Sequence, residues 1–185
     1  SYQAERDDHA HDLVSWAVDM GHLMQHVAAT EAAERDGEEL PQMQQTSQKS
    51  GYGQGREQPP IRSGVVMTAQ VSNEGASGYL LPQPAVRNSN GEEVRFDDLV
   101  GAHFAVVSHE PARFDAASTA VINALKIKVI DVSALEIVHG KFPDLLHAGE
   151  ALLIRPDRLV FGHTDPDVTL GSLLTRLAES LHYSR

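Results

Sequence analysis

Histidine is the residue with the clearest catalytic or metal-binding potential in this 185-residue sequence, which contains ten histidines and no cysteine. His22 and His26 are four positions apart, so on a helix they would share one face, with Asp19 one turn away. A structural zinc site needs four ligands, and a catalytic one needs three. Because the spacing supplies no complete ligand set, we interpret these histidines as polar-face residues and predict no metal site.

Other histidines are scattered along the chain without a recognisable spacing. They include His9, His11, His103, His109, His139, His147 and His163. A general base must lie within hydrogen-bond reach of the proton that it removes, and spacing alone assigns none of these side chains to that role. A self-contained hydrolase or metal enzyme that uses them is therefore a third hypothesis, behind the two developed below.

Two aspartate pairs are candidates for acid–base chemistry: Asp97 with Asp98, and Asp157 with Asp165. Both pairs are also explained as turn or helix-cap residues, and we favour that interpretation. No serine or threonine lies in a strand-to-helix nucleophile motif. The absence of cysteine excludes thiolate chemistry, disulfides and cysteine-ligated metals. We predict no catalytic residue in the chain.

Gly51, Gly53 and Gly55 suggest a phosphate-binding loop. Such a loop needs a strand before the glycines and a helix N-terminus after them, so that backbone N–H groups point at the phosphate. Here Pro59 and Pro60 follow, and no strand precedes. We interpret the segment as a flexible loop and predict no cofactor-binding residue in it.

The composition, with 41% hydrophobic residues, is that of a globular protein. No apolar run approaches the length needed to cross a bilayer. The formal net charge is −11, and residues 1–50 hold ten acidic and three basic residues, which argues against nucleic-acid binding. The chain starts without Met or a signal region, so we predict that it is cut from a longer protein and, lacking cysteine, is cytoplasmic.

The first part of the chain is predicted to be helical. From Glu5 to Thr30, apolar residues recur at spacings of three and four, which predicts one long amphipathic helix. Its apolar stripe includes Leu13, Ala17, Met20, Met24 and Val27. In the chain alone this stripe should be exposed, because its partner would be missing. A second helical stretch, residues 31–39, is interrupted by Gly37.

Residues 41–77 are rich in Gln, Ser, Gly and Pro, which predicts a linker or irregular loop. Within it, Val65–Met67 could form a short strand. The pattern therefore divides the chain into a helical segment, 1–40, the linker, 41–77, and a compact α/β domain, 78–185.

The α/β domain is predicted to begin with a hairpin, because Asn90–Gly91 lies between two β-type runs. Phe104–Ser108 then predicts a buried strand, and Asp115 is a suitable N-cap for a helix through Leu125. The apolar run 127–132 predicts the next strand. A strand, a helix and a parallel strand in this order make a β-α-β unit with a right-handed crossover.

The last part of the domain is predicted to be a hairpin followed by a helix. Leu152–Ile154 and Leu159–Phe161 flank an Arg-Pro-Asp-Arg turn, so these strands should pair antiparallel. The final helix should begin with Asp165 as N-cap and Pro166 as its first residue, and it carries a leucine stripe. The order β-α-β-β-β-α is that of a thioredoxin-like fold, here without cysteines.

Several segments share their residue pattern with a known family. Residues 2–10 contain Tyr-x-x-Glu-Arg, and residues 90–91, 99–106 and 154–160 follow in a characteristic order. This combination resembles the C-terminal region of FAD-dependent aromatic hydroxylases in the phenol-hydroxylase branch. Within that branch the likeness is greatest to the 3-(3-hydroxyphenyl)propionate hydroxylases, which have a similar Thr169–Gly171 entry to the last helix.

The resemblance implies a protein that hydroxylates a phenolic ring with FAD, NAD(P)H and O2 in the cytoplasm. It implies that the first helix closes an upstream catalytic region, and that this part serves packing, homodimer formation or substrate access. The family's FAD motifs are absent from the sequence, so no flavin, nicotinamide or substrate residue can be placed, and the chain alone is expected to be inactive. The alternative is a stand-alone, redox-inactive thioredoxin-like binding or scaffold module.

Overall fold

The computed structural model describes residues 2–36, 59–71, 76–88, 90–142, 146 and 149–182, without the side chains of residues 4, 23 and 26–36. Its α-helices are Tyr2–Asp36 (α1), Phe96–Val100 (α2), Ala116–Leu125 (α3) and Leu170–Ser180 (α4). Its strands are Ala85–Arg87 (β1), Glu93–Arg95 (β2), Ala105–Ser108 (β3), Lys128–Asp131 (β4), Glu136–His139 (β5), Ala151–Ile154 (β6) and Val160–His163 (β7). Short 3-10 helices lie at Thr68–Gln70 and Val132–Ala134.

One mixed sheet has the strand order β4-β3-β6-β7. β3 and β4 run parallel with α3 between them, which confirms the predicted β-α-β unit. Asp115 caps α3 as predicted, because its carboxylate accepts a hydrogen bond from the backbone N–H of Ser118 at 2.7 Å. β6 pairs antiparallel with β3 and with β7, which confirms the predicted hairpin. All residues of β3 and β6 are buried, as expected for strands covered on both faces.

A second sheet is antiparallel and has the order β2-β1-β5. Its β1–β2 hairpin confirms the prediction from Asn90 and Gly91; Gly91 has a φ of +80°, a conformation that favours glycine. The side chain of Asn88 accepts hydrogen bonds from the backbone N–H groups of Asn90 and Glu92 within this turn. The sequence did not predict β5 or α2. All four residues of β5 are exposed, so no alternation of buried and exposed residues marks it.

The four-stranded sheet has a hydrophobic core on each face. On one face it packs with α3 and α4, through Val106, Val121, Ile127, Ala151, Leu153, Phe161, Leu173, Leu174, Leu177 and Ala178. On the other face it packs with the second sheet and α2, through residues that include Leu81, Val86, Phe96, Val100, Val107, Phe142, Leu152, Ile154 and Val160. The predicted leucine stripe of α4 is confirmed, because its central leucines are fully buried.

The last helix begins later than predicted. α4 starts at Leu170, and its N-cap is Thr169, whose hydroxyl accepts a hydrogen bond from the third backbone N–H of the helix. The predicted start at Asp165 and Pro166 is therefore wrong. Asp165 instead accepts a hydrogen bond from the backbone N–H of Val168, which closes a separate turn before the helix. Asp and Thr are both good N-caps, so the local pattern could not choose between them.

α1 is one continuous helix, whereas the sequence pattern predicted two helical stretches. Its 35 residues make it about 52 Å long at the standard rise per residue. The predicted apolar stripe is exposed only in part. Met24 is 69% exposed and Ala17 is exposed, but Leu13 and Met20 are half-buried. The predicted interruption at Gly37 lies outside the described residues.

The predicted strand at Val65–Met67 is wrong, because this segment is irregular. The backbone N–H of Met67 donates to the carbonyl of Phe161 in β7, at 2.7 Å. The backbone groups of Val65 bind side chains instead: its N–H donates to Glu5, and its carbonyl accepts from Arg155. Hydrogen bonds with side chains thus take the place of the hydrogen bonds that a neighbouring strand would make with Val65.

The segment before the domain nevertheless contributes to its interior. Ile61, Ala76 and Ser77 are almost completely buried. Within the described ranges, no helix combines the length and the apolar character that crossing a membrane would require.

Candidate functional site

Arg155, in the turn between β6 and β7, joins α1 to the domain. Its Nη1 and Nη2 atoms donate to the two carboxylate oxygens of Glu5, each at 2.9 Å. Nε and Nη2 donate to the carboxylate of Asp157 at 3.0 and 2.7 Å, and Nη1 also donates to the carbonyl of Val65 at 3.0 Å. All five N–H donors of the guanidinium therefore have acceptors, in a planar fork geometry that lysine cannot reproduce.

The Glu5–Arg155 pair is largely buried, with 12% and 13% of the two side chains exposed. The hydrogen bond from Arg155 lowers the pKa of Glu5, although burial opposes this shift. Burial also works to lower the pKa of Arg155, but its hydrogen bonds with Glu5 and Asp157 outweigh burial and raise this pKa. Both side chains therefore stay charged at neutral pH. A buried, hydrogen-bonded ion pair of this kind fixes geometry more than it adds stability.

Gly64 allows Glu5 to approach the backbone at this junction. Its φ is +87°, and a Cβ atom there would lie 2.6 Å from Oε2 of Glu5. The next residue, Val65, donates its N–H to the same oxygen at 3.2 Å. A larger residue at position 64 would therefore push the Glu5 carboxylate out of its place.

A second set of polar contacts lies one to two turns further along α1. His9 forms a hydrogen bond with the backbone of Pro59, and Asp12 forms an ion pair with Arg62. Burial, followed by the nearby charge of Arg6, lowers the pKa of His9. Positions 5, 9 and 12 share one face of a helix. Polar side chains of α1 therefore face the segment 59–65.

Gln70 connects the segment before the domain to the end of β7. Its Nε2 atom donates to the carbonyl of His163 at 2.7 Å and to the carboxylate of Asp165 at 2.9 Å, and its Oε1 atom accepts from the N–H of His163. The Ser77 hydroxyl lies 3.3 Å from Nδ1 of His163. Burial lowers the pKa of His163, opposed by Asp165 and Glu150.

The Ser77, His163 and Asp165 side chains in this network are of the residue types that form a hydrolytic triad. Ser77 is 0% exposed, however, and no substrate carbonyl can reach its hydroxyl. The network therefore holds the chain segments together and does not form an active site.

A cleft of about 320 Å³ opens at the carboxyl end of β3. It is lined by Ser108, the loop that contains Arg113, the start of β6, the end of β7, and the start of α4. Ligands of open α/β sheets bind at such strand ends, and the volume lies at the lower limit for small-molecule sites. The cleft mixes hydroxyl, carboxylate and guanidinium groups with apolar side chains.

The same strand end shows whether a dinucleotide would fit. The loop between β3 and α3 contains no glycine, and it holds Glu110 and Pro111. The carboxylate of Asp115 already occupies the N-terminus of α3, where a pyrophosphate would bind. The residues at this β3–α3 turn therefore do not fit FAD.

Comparison with known proteins places the domain in a family. Residues 78–180 match the family model described as HcaD C-terminal domain, which covers more than half of the 185-residue chain. The chain belongs to the HcaD C-terminal domain family.

Curated relatives of this HcaD C-terminal domain protein are hydroxylases. The 3-(3-hydroxy-phenyl)propionate/3-hydroxycinnamic acid hydroxylase of Klebsiella pneumoniae (strain 342) is 27% identical over 207 residues, covering 98% of this chain and 37% of the relative. The enzyme of the same name from Escherichia coli (strain K12) is 23% identical over 211 residues, covering 100% and 37%. This chain thus spans little more than a third of the length of these relatives.

Solved structures share the fold. The complex of aklavinone-11 hydroxylase with FAD and aklavinone matches with a TM-score of 0.50 and 23% identity, covering 66% of this chain and 26% of that one. The flavin-dependent monooxygenase PieE, in complex with FAD and substrate, matches with a TM-score of 0.51 and 18% identity, covering 68% and 25%. At these identities the likeness establishes a shared mixed α/β fold.

The histidines considered for metal binding in this HcaD C-terminal domain protein lie apart. Asp19 and His22 are exposed on α1, while the side chains of His26 and His147 lie outside the described part. His11, His103, His109 and His139 are exposed, and His9 and His163 are half-buried. Within the described ranges, no three His, Cys, Asp or Glu side chains gather in a metal-binding arrangement. The glycines at 51, 53 and 55 also lie outside the described residues.

The first aspartate pair does not form a carboxylate dyad. Asp97 pairs with Arg158, with Oδ1 and Nε 2.6 Å apart. Asp98, beside it on α2, is exposed. The two carboxylates therefore have different surroundings, and Asp97 serves to fix the β6–β7 turn to α2.

The second aspartate pair is also divided between two structural roles. Asp157 binds Arg155. Asp165 closes the turn before α4, and its hydrogen bond with Gln70 lowers its pKa. Both carboxylates keep neighbouring segments in place, in agreement with their interpretation as turn and cap residues.

Sequence reasoning missed the pairing of Glu5 with Arg155. Both residues lie in segments that carried the family resemblance, namely Tyr-x-x-Glu-Arg and Arg-Pro-Asp. A separation of 150 positions leaves no local pattern that could connect them. Correlated changes at the two positions among relatives are the sequence signal that would find such a contact.

Proposed function

We propose that this chain is the C-terminal part of an FAD-dependent hydroxylase of phenolic rings, similar in substrate class to the 3-(3-hydroxyphenyl)propionate hydroxylases. The observation that carries the proposal is the alignment with such an enzyme over 98% of this chain but only 37% of the relative's length. The aligned range includes α1 as well as the domain. The contact of Glu5 with Arg155 supports the interpretation of α1 and the domain as one structural unit.

In this proposal the region upstream supplies the flavin site and the reaction with NAD(P)H and O2, in the cytoplasm. The family's FAD motifs are absent from this sequence, which supports the proposal that the chain alone is inactive. The poor fit of the β3–α3 turn to a dinucleotide agrees with it. Its own residues hold α1 in a fixed position on the domain. The role of this part is packing, homodimer formation or control of access to the catalytic region.

We further propose a thioredoxin-like fold for residues 78–185, with 1–40 as the helical segment and 41–77 as the linker. The strand order β4-β3-β6-β7, with a parallel first pair and helices α3 and α4 on one face, supports the fold. The start of the family match at residue 78 supports the division. Thioredoxin-type redox chemistry needs a thiolate, which this sequence cannot provide.

A second candidate function is a stand-alone, redox-inactive binding or scaffold module. The cleft at the carboxyl end of β3 favours it, because a strand end of this kind can hold a small ligand. This candidate predicts a protein that folds and functions without any flavin-binding region.

One experiment separates the two candidates: purification of the protein encoded by the complete reading frame. The hydroxylase proposal expects a yellow protein with stoichiometric FAD, and NAD(P)H oxidation that increases when 3-(3-hydroxyphenyl)propionate is added. Recovery of the hydroxylated ring by chromatography would establish the reaction. A colourless protein that neither binds added FAD nor oxidises NAD(P)H would overturn the hydroxylase proposal and favour the binding module.

A further inference from the structure

The tip of the β1–β2 hairpin places an asparagine, Asn90, directly before a glycine, Gly91. Both residues are exposed. In the part of the chain that the structure describes, the side chain of Asn90 has no hydrogen bond, so its amide group can rotate. No atom lies within 4 Å of the position that a Cβ atom on Gly91 would take. The space around the peptide bond between these two residues is therefore open.

This open space allows an intramolecular reaction of the Asn90 side chain. The backbone nitrogen of Gly91 attacks Cγ of Asn90, and the new N–Cγ bond closes a five-membered succinimide ring. The attacking nitrogen gives up its proton to solvent, the Cγ–Nδ2 bond breaks, and Nδ2 leaves as ammonia. Water then opens the ring at either carbonyl carbon, which produces aspartate or isoaspartate at position 90. The net reaction consumes one water molecule and releases one ammonia molecule.

The backbone at Gly91 decides how easily the reaction starts. Glycine hinders the attack least, because it has no Cβ atom beside the attacking nitrogen. In the folded hairpin, this N–H donates to the carbonyl of Asn88 at 3.0 Å, so the turn must open before the nitrogen can attack. Exposed turns open at a much lower free energy than the whole domain unfolds. The reaction therefore does not require unfolding of the domain.

The other asparagines that the structure describes have different surroundings. The Oδ1 atom of Asn88 accepts from the N–H groups of Asn90 and Glu92, at 2.9 and 3.0 Å, and its Nδ2 atom donates to Glu92 at 3.0 Å. Asn123 is exposed, but helix α3 holds its backbone. The residue after each of them carries a side chain. Asn90 is therefore the asparagine of this group that is best placed to react.

We propose that Asn90 is a site of spontaneous deamidation, and that the modification loosens the β1–β2 hairpin. Both products add a negative charge close to Glu92 and Glu93, and like charges at neighbouring positions repel. Isoaspartate also inserts a carbon atom into the main chain between Asn90 and Gly91. The hydrogen bonds of Asn88 with this turn cannot all keep their geometry in the longer chain.

Peptide mapping of the complete protein, incubated in mildly alkaline buffer, tests the modification. Trypsin cleaves after Arg87 and Arg95 and so releases residues 88–95, which contain both Asn88 and Asn90. Fragment ions then compare the two positions in the same molecules. Conversion at position 90 should be at least about tenfold faster than at position 88, because reaction at Asn88 must first break three hydrogen bonds. Chromatography should separate the aspartate and isoaspartate forms of the peptide.

Equal rates at positions 88 and 90 would overturn the proposal. It would also be overturned if Asn90 stayed intact in the folded protein but reacted in urea, because the folded turn would then block the attack. Asn90→Gln is the matched control. Glutamine must close a larger ring, so the peptide from this variant should remain unconverted at position 90.

Hydrogen exchange tests the effect on the hairpin. After incubation, protein that is mostly converted should exchange the backbone N–H groups of β1 and β2 severalfold faster than fresh protein, while β3 and β6 should keep their rates. Asn90→Asp reproduces the aspartate product alone, so it separates the effect of the added charge from that of the longer main chain. Unchanged exchange in the converted protein would overturn the loosening of the hairpin.

Discussion

Arg155 and Glu5 are 150 positions apart in the sequence, and two hydrogen bonds of 2.9 Å join the guanidinium of one to the carboxylate of the other. Because the pair is largely buried, removing either charge leaves the other without its partner in a poorly solvated place. Asp157 and Val65 take the remaining donors of Arg155, so the guanidinium cannot turn towards another acceptor. The position of the first turn of α1 on the domain therefore depends strongly on the side chain of Arg155, while His9 and Asp12 hold the next turns.

We expect Arg155→Lys to destabilise the protein although it keeps the positive charge. Lysine cannot satisfy Glu5 and Asp157 with two parallel pairs of hydrogen bonds. The expected loss in the free energy of unfolding is about 1.5–3 kcal/mol, the range for hydrogen bonds to charged groups. Urea denaturation followed by circular dichroism measures it.

Arg87→Lys is the matched control for Arg155→Lys, because Arg87 pairs with Glu136 at the exposed surface. It should change the free energy of unfolding by less than about 1 kcal/mol, as exposed ion pairs do. Equal effects of the two substitutions would contradict the role that we assign to Arg155.

We expect Gly64→Ala to loosen α1 from the domain. Both Gly64 and Gly91 have a positive φ, of +87° and +80°, so alanine at either position meets backbone strain of about 1–2 kcal/mol. Only at Gly64 would the new methyl group also meet Glu5; at Gly91 nothing lies within 4 Å. Gly64→Ala should therefore be more destabilising than Gly91→Ala and should increase hydrogen exchange in the first turns of α1. Similar stabilities and exchange rates in the two variants would argue against the close contact.

We expect the protein to lose stability as the pH falls below 6.5. Burial lowers the pKa of His163 from its ordinary value of 6.5, so the folded protein binds fewer protons at this site than the unfolded chain does. The stability is therefore complete above pH 6.5 and decreases as the pH falls towards the lowered pKa. Asp165 and Glu150 face this ring and limit the shift, and His9 contributes in the same direction.

His163→Gln should flatten the pH dependence between pH 7 and pH 5, since glutamine does not titrate. Thermal unfolding across this range, for the original protein and the variant, provides the measurement. His139→Gln is the control, because His139 is exposed on β5, and it should leave the profile unchanged. Identical profiles for all three proteins would show that His163 does not control the dependence.

We expect Thr169→Ala to destabilise the protein by about 1 kcal/mol, because it removes the N-cap of α4. Pro166→Ala should have little effect on α4 itself, since residue 166 lies outside the helix. Thermal denaturation of the two variants tests the corrected start of the helix. A larger effect at position 166 than at position 169 would support the earlier start that the sequence suggested.

The elements that the sequence predicted are those whose signals are local. β3, β6 and β7 are short apolar runs next to turn residues, and Asp115 is followed at once by good helix formers. These features depend on a few neighbouring residues, so one sequence is enough to find them. The first long helix was found for the same reason.

The features that the sequence did not predict depend on tertiary contacts. β5 forms because β1 offers it hydrogen bonds, although its own residues are all exposed. Asp165 is of a residue type that often caps helices, but a hydrogen bond with Gln70 holds it in a turn. No local pattern gives the position of Gln70 in the fold. The contact between α1 and the β6–β7 turn was missed for the same reason, since Glu5 meets Arg155 only after the whole domain has folded.

The four-stranded sheet is shared by both hydrophobic cores, and its strands β3 and β6 have no exposed residue. Neither the helical layer nor the smaller sheet can separate from it without exposing one side of these strands to water. The domain should consequently unfold in one cooperative transition, both on heating and under mechanical force. Any motion within this chain would then have to occur outside these two sheets and the helices packed on them.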